Sequence, residues 1–217
     1  MSLLTIERKI LEKNDEIANL NREKFRFKEM FTMNLVSSPG SGKTSLIEQT
    51  INVLKHKLKI AVIEGDVQTN LDAQRIDALG VPVVQIVTNG ACHLDAMLVR
   101  DAFQKIIDLE LNFLFIENVG NLVCPAAYDL GEEMKVVIIS TTEGDDKPLK
   151  YPAIFHNSKA LVINKIDLLP HVNCSVNTIR DNALRINSGL KIFETSCTTQ
   201  EGIGEWCEYL LNMVKMN

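Results

Sequence analysis

Val36-Ser37-Ser38-Pro39-Gly40-Ser41-Gly42-Lys43-Thr44 decides the reading of this chain. Phe31 to Val36 before it reads as a buried strand, and Ser45-Leu46-Ile47-Glu48-Gln49 after it reads as the start of a helix. Strand, tight Gly-rich turn, Gly-Lys-Thr and helix together make a phosphate-binding P-loop. Small residues let backbone N–H groups curl around phosphate oxygens, and the helix N-terminus adds partial positive charge. Ser38, Pro39, Gly40, Ser41, Gly42 and Ser45 form this cradle. Lys43 reaches the outer phosphates, and the Thr44 hydroxyl is placed for Mg²⁺. Ser37 stands where the usual motif has glycine. It is acceptable there if the backbone needs no positive φ.

Outward from this loop, apolar strands alternate with helices. Lys59 to Asp66 is a second strand ending in a carboxylate. A short helix follows, with Ala73, Ile76 and Leu79 in register and Gly80 as its stop. Val81 to Val87 is strand-like, Thr88 to His93 a turn, and Leu94 to Leu109 an amphipathic helix. Phe113 to Glu117, Val136 to Ser140, Ala160 to Asn164 and Lys191 to Glu194 read as further strands. Helices are expected over 175–187 and from about 204 to 215. Continuous apolar strands between helices predict a mainly parallel sheet covered on both faces, an α/β fold. Ligands of such sheets sit beyond the carboxyl ends of the strands. Gly40, Asp66, Glu117 and Asn164 all fall just after strand ends.

Residues 2 to about 24 read as a further helix, with Leu3, Ile6, Ile10, Ile17 and Leu20 on one stripe that Lys13 interrupts. Periodicity alone fits either packing on its own domain or docking to a partner. The division expected is a helical extension over 1–29 and a P-loop domain over 30–217.

Bulk properties narrow the classes. The 217 residues suit one sizeable α/β domain. A net charge of −5 disfavours a general nucleic-acid binder, which needs surplus positive charge. Five scattered cysteines do not form a disulfide framework. No apolar run spans a bilayer, and the charged N-terminal residues leave no room for a secretory segment. A cytoplasmic location is the expectation.

Asn164-Lys165-Ile166-Asp167 directly follows a strand, about 120 residues after the P-loop. Guanine presents two donors, its ring N1–H and its exocyclic amine, and Asp167 can accept both. Adenine has a bare acceptor there, and an unpaired buried group discriminates strongly. The Lys165 stem can cover the base. Asn164 can tie loops together or meet the base edge. Thr195-Ser196-Cys197 resembles the additional guanine loop of such proteins. The pattern favours GTP over ATP. For Mg²⁺, Asp66, Glu117 and Asp72 join Thr44 as candidates, directly or through water. Lys43, Thr44, Asp66 and Glu117 are the candidate catalytic set. No residue is marked by spacing as an arginine finger, so slow hydrolysis accelerated by a partner or dimer is expected.

Cys92-His93 lies in one turn and Cys124-Pro125 follows the next strand. Thiolate and imidazole suit Zn²⁺ or Ni²⁺ rather than Mg²⁺. Buried filler cysteines and a helix-capping histidine fit the same residues. Three ligands per chain fall one short of a tetrahedral site, which is consistent with a two-fold dimer interface or with water as fourth ligand. Cys174, Cys197 and Cys207 lack a nearby histidine and read as structural.

Several segments now resemble one family. They are 34–44, Ile63-Glu64-Gly65-Asp66, Cys92-His93-Leu94-Asp95-Ala96, Phe115 to Pro125, Thr142 to Pro148 and Asn164-Lys165-Ile166-Asp167. In this order they resemble the HypB family, GTPases that support nickel insertion into nickel–iron hydrogenases. Serine at position 37 is usual there. The resemblance implies GTP, Mg²⁺ and a nucleotide- and metal-dependent homodimer. It implies Ni²⁺ or Zn²⁺ on Cys92, His93 and Cys124 at the dimer interface. It also implies two partners: a companion nickel-binding protein (HypA) docking at the N-terminal helix, and the hydrogenase large-subunit precursor. Residues 1–91 contain no cysteine and one histidine, His56, so the N-terminal cysteine motif or histidine run of some members is missing from them. A GTPase serving urease would share the nucleotide site, but its metal motif keeps Cys, Pro and His together. A P-loop small-molecule kinase would have no purpose for the Asn164 to Asp167 motif.

Overall fold

Seven strands alternate with helices in a computed structural model that describes residues 2–216, with side chains described for 10–215. The strands are β1 (Phe31–Ser37), β2 (Ile60–Asp66), β3 (Val83–Val87), β4 (Phe113–Glu117), β5 (Met134–Ser140), β6 (Ala160–Asn164) and β7 (Lys191–Glu194). The helices are α1 (Ser2–Phe27), α2 (Lys43–Leu54), α3 (Leu71–Asp77), α4 (Ala96–Phe103), α5 (Lys147–Lys150), α6 (Pro152–His156), α7 (Val176–Ile186) and α8 (Ile203–Met216). All strand pairings are parallel, in the order β3-β2-β4-β1-β5-β6-β7. β1 lies centrally, and the chain crosses it between β4 and β5. The P-loop therefore opens at the point where the strand order reverses, flanked by the carboxyl ends of β4 and β5.

Period-two alternation divides the strands between two apolar layers. Phe31, Met33 and Leu35 pack with Leu46, Ile47 and Ile51 of α2 and with Trp206 and Leu210 of α8. On the opposite face Ala61, Ile63, Leu114 and Ile116 meet Val99 and Phe103 of α4 and Phe25 of α1. Val137, Ile139, Leu161 and Ile163 meet Ile154, Phe155, Ile179 and Ala183 of α6 and α7. Between these two patches the second face of β1 is polar. Thr32 and Asn34 are fully buried there under the 118–133 segment.

The expected parallel sheet stands, with local corrections. The α4 region is shorter than the predicted 94–109. Asp95 caps it by accepting the Leu98 N–H at 2.8 Å. After Phe103 the chain tightens into i→i−3 turns, Lys105 to Ala102 and Ile106 to Phe103, which keep Ile106 buried without helix. β3 begins at Val83 because Pro82 has no N–H to pair.

The expected apolar stripe of α1 is not its packed face. Ile10 and Leu20 are exposed, while Asn14, Ala18, Asn21 and Phe25 are buried. Leu3 and Ile6 lie outside the described side chains. Asn14 and Asn21 are pulled inward by main-chain groups. Asn21 Nδ2 donates to the carbonyls of Ala96 and Leu130, and Asn14 Oδ1 accepts the Ala96 N–H. Phe25 meets Phe103 edge to face, at 5.0 Å between centroids. Among the described residues no helix is long and apolar enough to cross a membrane.

Candidate nucleotide site and metal centre

A cavity of about 450 Å³ opens at the carboxyl ends of the strands, lined by Pro39, Gly40, Gly42 to Ser45, Asp66, Asp72, Arg75, Glu117, Gly120 and Lys165. Gly42 caps α2 at φ 95° without a side-chain cap, so the first N–H groups of the helix point into this space. A Cβ at Gly42 would lie 2.4 Å from Asn164 Nδ2. Glycine is needed there for both conformation and clearance. Ser37 ends β1 and is not among the residues with positive φ, which explains why serine is accepted. Its hydroxyl receives Lys43 Nζ at 3.1 Å and donates to the Ser38 carbonyl.

The loop is fastened at both ends. Ser41 Oγ lies 2.8 Å from Ser38 O and 2.6 Å from Glu143 Oε1, its one proton shared between the two acceptors. Glu143 also accepts the Ser140 N–H in a capping box at the end of β5. Glu143 is a site residue that the phosphate and base motifs do not single out. A Ser-x-x-Glu spacing after an apolar strand was the available signal. Pro39 packs so closely on Gly120 that a Cβ there would approach it to 3.1 Å.

The Asn164 to Asp167 segment is assembled around the same loop. Asn164 Nδ2 donates to Ser41 O at 2.9 Å, while its Oδ1 receives Thr195 Oγ1 and the Cys197 thiol. Asn164 thus ties loops together. Lys165 takes a left-handed φ of 61° and sends Nζ to Gly40 O at 2.7 Å, laying its stem across the cavity rim. Asp167 follows in a 3-10 turn over Ile166–His171. Ser196 is buried and shapes its loop by accepting the N–H groups of Thr198 and Thr199. Burial pushes the Cys197 thiol up to about 11, so it serves as a neutral donor. Cys207 is core, likewise raised to about 11 by burial.

Acidic groups collect on the other side of the phosphate cradle. Thr44 Oγ1 donates to Glu117 Oε1 at 2.7 Å, and Glu117 Oε2 is buried without a partner. Burial raises the Glu117 carboxyl to about 7 against the pull of Lys43 and Thr44. Glu64 sits beside Glu117 in the strand register. Burial, then repulsion from Glu117, pushes it up to about 8, and its Oε2 is also unpartnered. Burial works against the charge of Asp66, but the N–H groups of Thr69 and Gln68 outweigh it and lower its pKa. Carboxylate oxygens of Glu64, Asp66 and Asp72 lie within 4.8 Å of one another. Two buried, unpartnered carboxylate oxygens beside a threonine hydroxyl fit a hard divalent cation. Glu64 escaped the sequence reading as a ligand, although a carboxylate inside a continuous apolar strand marks it.

Asp72 is held by Arg75, Nη1 to Oδ1 at 2.9 Å. Arg75 also forks onto Glu48 and donates to Ser45 Oγ. Apart from its i,i+3 neighbour Asp72, this guanidinium at the cavity wall takes its partners from α2, Glu48 and Ser45, which sequence spacing does not reveal.

The second cluster lies where the turns after β3 and β4 meet. Cys92 Sγ stands 2.9 Å from Cys124 Sγ and 3.7 Å from His93 Nδ1. All three donor atoms lie within 4.8 Å of one another. Asn121 donates to Cys92 O across the two turns. The His93 ring lies against Tyr128, 3.9 Å between centroids. Burial lowers the His93 pKa, which favours the neutral, ligating imidazole. Two sulfurs and an imidazole at a partly exposed corner fit a soft or borderline cation such as Zn²⁺ or Ni²⁺. Cys174 lies apart, its thiol raised by burial.

Fold and sites together define a P-loop nucleotide-binding protein with a cysteine–histidine cluster beside its nucleotide cavity. Residues 31–194 match the family described as CobW/HypB/UreG, nucleotide-binding domain. The chain is 53% identical over 208 residues to the hydrogenase maturation factor HypB of Azotobacter vinelandii, covering 96% of this chain and 69% of that one. Its structure is similar to that of HypB from Archaeoglobus fulgidus, with TM-score 0.88, 38% identity, and coverage of 94% and 99% of the two chains. It is also similar to HypB from Helicobacter pylori in complex with nickel, with TM-score 0.90, 39% identity, and coverage of 94% and 96%. The chain belongs to the HypB family of hydrogenase maturation factors.

Proposed function

We propose that this chain is a GTP-hydrolysing metallochaperone that carries nickel toward a nickel–iron hydrogenase. The observation that carries the proposal is the meeting of Cys92, His93 and Cys124, only seven residues beyond Glu117 of the nucleotide cavity. Nickel is the cargo of this cluster, and Zn²⁺ fits the same donors. The relative crystallised with nickel supports that reading.

In the nucleotide cavity, Asp167 selects guanine and Lys165 covers the base. The N-terminus of α2 and Lys43 hold the phosphates. Thr44 and Glu117 would hold Mg²⁺, with Asp66 and Asp72 within reach of the same region. Bound there, Mg²⁺ supplies charge neutralisation on the phosphate oxygens. With a cation held there, Glu117 would be ionised, its proton released to solvent, and the Thr44 hydroxyl oxygen would be free to face the cation. Because 118–124 runs from Glu117 to Cys124, with Gly120 against Pro39, phosphate occupancy and cargo geometry are linked. Three donors leave coordination positions for a second copy, so GTP and metal favour a homodimer that closes over the cluster. Ile10, Leu20 and Phe27 on the outward side of α1 offer a landing for the companion nickel-binding protein HypA, upstream of transfer to the hydrogenase large-subunit precursor.

The test is nickel titration by chelator competition on the wild type and Cys124→Ala, with GDP affinity and phosphate release from GTP measured alongside. The variant is expected to lose nickel and retain GDP, and the wild type to release phosphate. Equal nickel affinity in the two proteins overturns the cargo site. Absence of phosphate release, with nickel still bound, overturns the hydrolytic role alone.

A further inference from the structure

The polar second face of β1 has an unusual content for the middle of a parallel sheet. Lys135 on β5 is 8% exposed, and its side chain points into the protein. Lys135 Nζ donates to Pro125 O and to Tyr128 O, both at 3.0 Å, and pairs with Glu132 Oε1 at 3.5 Å. Glu132 in turn accepts Asn34 Nδ2 at 3.1 Å and the Leu130 N–H at 2.8 Å. Asn34 Oδ1 receives Asn118 Nδ2 at 3.2 Å. Asn118 Oδ1 accepts the N–H groups of Leu94 and Val119, each at 3.0 Å.

The chain of bonds ends beside two ligands of the soft-metal cluster, His93 and Cys124. Leu94 follows His93, Pro125 follows Cys124, and the Tyr128 ring lies on His93. A buried ion pair adds little net stability compared with apolar packing of equal volume. What it adds is direction. An ammonium hydrogen-bonded to two carbonyls and paired with one carboxylate fixes the three relative to one another. Partners that orient metal ligands in this way set affinity as strongly as lost contacts do.

We infer that Lys135, backed by Glu132, Asn34 and Asn118, is the positioning residue that sets the geometry of the Cys92–His93–Cys124 cluster. The inference rests on reading that cluster as a metal site. It adds that the affinity of the site is set from the interior of the sheet, by residues that never touch the ion.

The experiment titrates full-length protein with Ni²⁺, reading chelator competition and thiolate-to-nickel absorption, with GDP affinity as a check on the fold. Lys135→Met is expected to weaken nickel binding roughly 10- to 100-fold and to alter the absorption, with GDP affinity unchanged. The double variant Glu132→Gln/Lys135→Met, which leaves no unpaired charge, is expected to regain thermal stability and not nickel affinity. Wild-type affinity and absorption in Lys135→Met overturn the inference. So does recovery of nickel affinity together with stability in the double variant. If Lys135→Met does not fold, Asn118→Ala reads the same quantities, and unaltered nickel binding there overturns the assignment. Wild-type nickel binding that ignores Cys124→Ala overturns the metal reading itself, and the assignment with it.

Discussion

Thr44 Oγ1 donates to Glu117 Oε1 at 2.7 Å, joining the first turn of α2 to the end of β4. The bond spends the threonine hydroxyl on a carboxylate that burial would otherwise leave without a donor. Its other oxygen has no partner. A protonated or half-titrated Glu117 is the natural state of such a site, and a divalent cation is the natural replacement for the proton. On the proposed reading, a cation bound at the phosphate end of the cavity would take the place of that proton.

A pH dependence of stability follows. The Glu117 carboxyl is raised from 4.5 to about 7. A raised carboxyl stabilises the fold fully below its unfolded value, and that contribution is lost as pH climbs through the folded value. In divalent-free buffer the wild type should therefore lose stability relative to Glu117→Gln between pH 5 and 8, by on the order of 2–3 kcal/mol. Glu64, raised to about 8, loses its contribution in the same direction over a slightly higher range. Paired urea melts of the two proteins across this range check it, and a constant difference between them contradicts the mechanism. Adding Mg²⁺ with GDP should flatten the wild-type profile.

Gly42 tests the cradle. Its φ of 95° and the 2.4 Å approach of Asn164 Nδ2 leave no room for a methyl group. Gly42→Ala should cost about 1–3 kcal/mol from backbone strain alone. It should also break the Asn164 bond to Ser41 O, and GDP affinity should fall by more than tenfold. Calorimetric titration with GDP, after confirming a folded circular dichroism spectrum, reads both. Gly40→Ala is the control: its φ of 77° carries strain, but no atom lies within 4 Å of the added Cβ.

These elements were legible in the sequence because each depends on neighbours along the chain. The Gly-Ser-Gly-Lys-Thr turn, Asn164 to Asp167, and the apolar strands all announce themselves locally. The α1 face was not legible. Apolar spacing selected Ile10, Ile17 and Leu20, yet Asn14 and Asn21 turn inward to main-chain groups of residues 96, 129 and 130. Those groups are more than seventy residues away in sequence, and helical periodicity carries no trace of them. Glu64 and Arg75 were missed for the same reason. Their partners, Glu117 and Glu48, are brought close only by the sheet register and by the packing of α3 on α2.

Asn21 gives that lesson a number. It is 2% exposed, and its amide satisfies two carbonyls at 2.8 and 3.0 Å. Asn21→Leu, which any amphipathicity argument would favour, should destabilise the protein by about 1–3 kcal/mol, because two buried acceptors lose their donor. Leu20→Asn, on the exposed side, should change stability by less than about 0.5 kcal/mol. Thermal melts of the two variants separate the readings, and the opposite ranking would restore the apolar stripe as the packed face.

The proposed guanine selection by Asp167 is open to a direct test. The Asn164 and Lys165 side chains are already engaged with the P-loop, at 2.9 and 2.7 Å. On the proposed reading, base recognition would fall mainly on the carboxylate that follows them. An ionised carboxylate accepts both guanine donors, whereas an amide presents one acceptor and one clashing donor. Asp167→Asn should lower GDP affinity by roughly 100-fold or more, since a site built for two hydrogen bonds penalises a mismatch heavily. It should raise affinity for xanthosine diphosphate, whose additional carbonyl meets the new amide. Competition against a fluorescent GDP derivative measures both. A variant that keeps its guanine preference would shift recognition to Asn164 and the Thr195 to Cys197 loop. Their bonds to one another, Thr195 Oγ1 to Asn164 Oδ1 at 3.2 Å, would then have to open to admit the base.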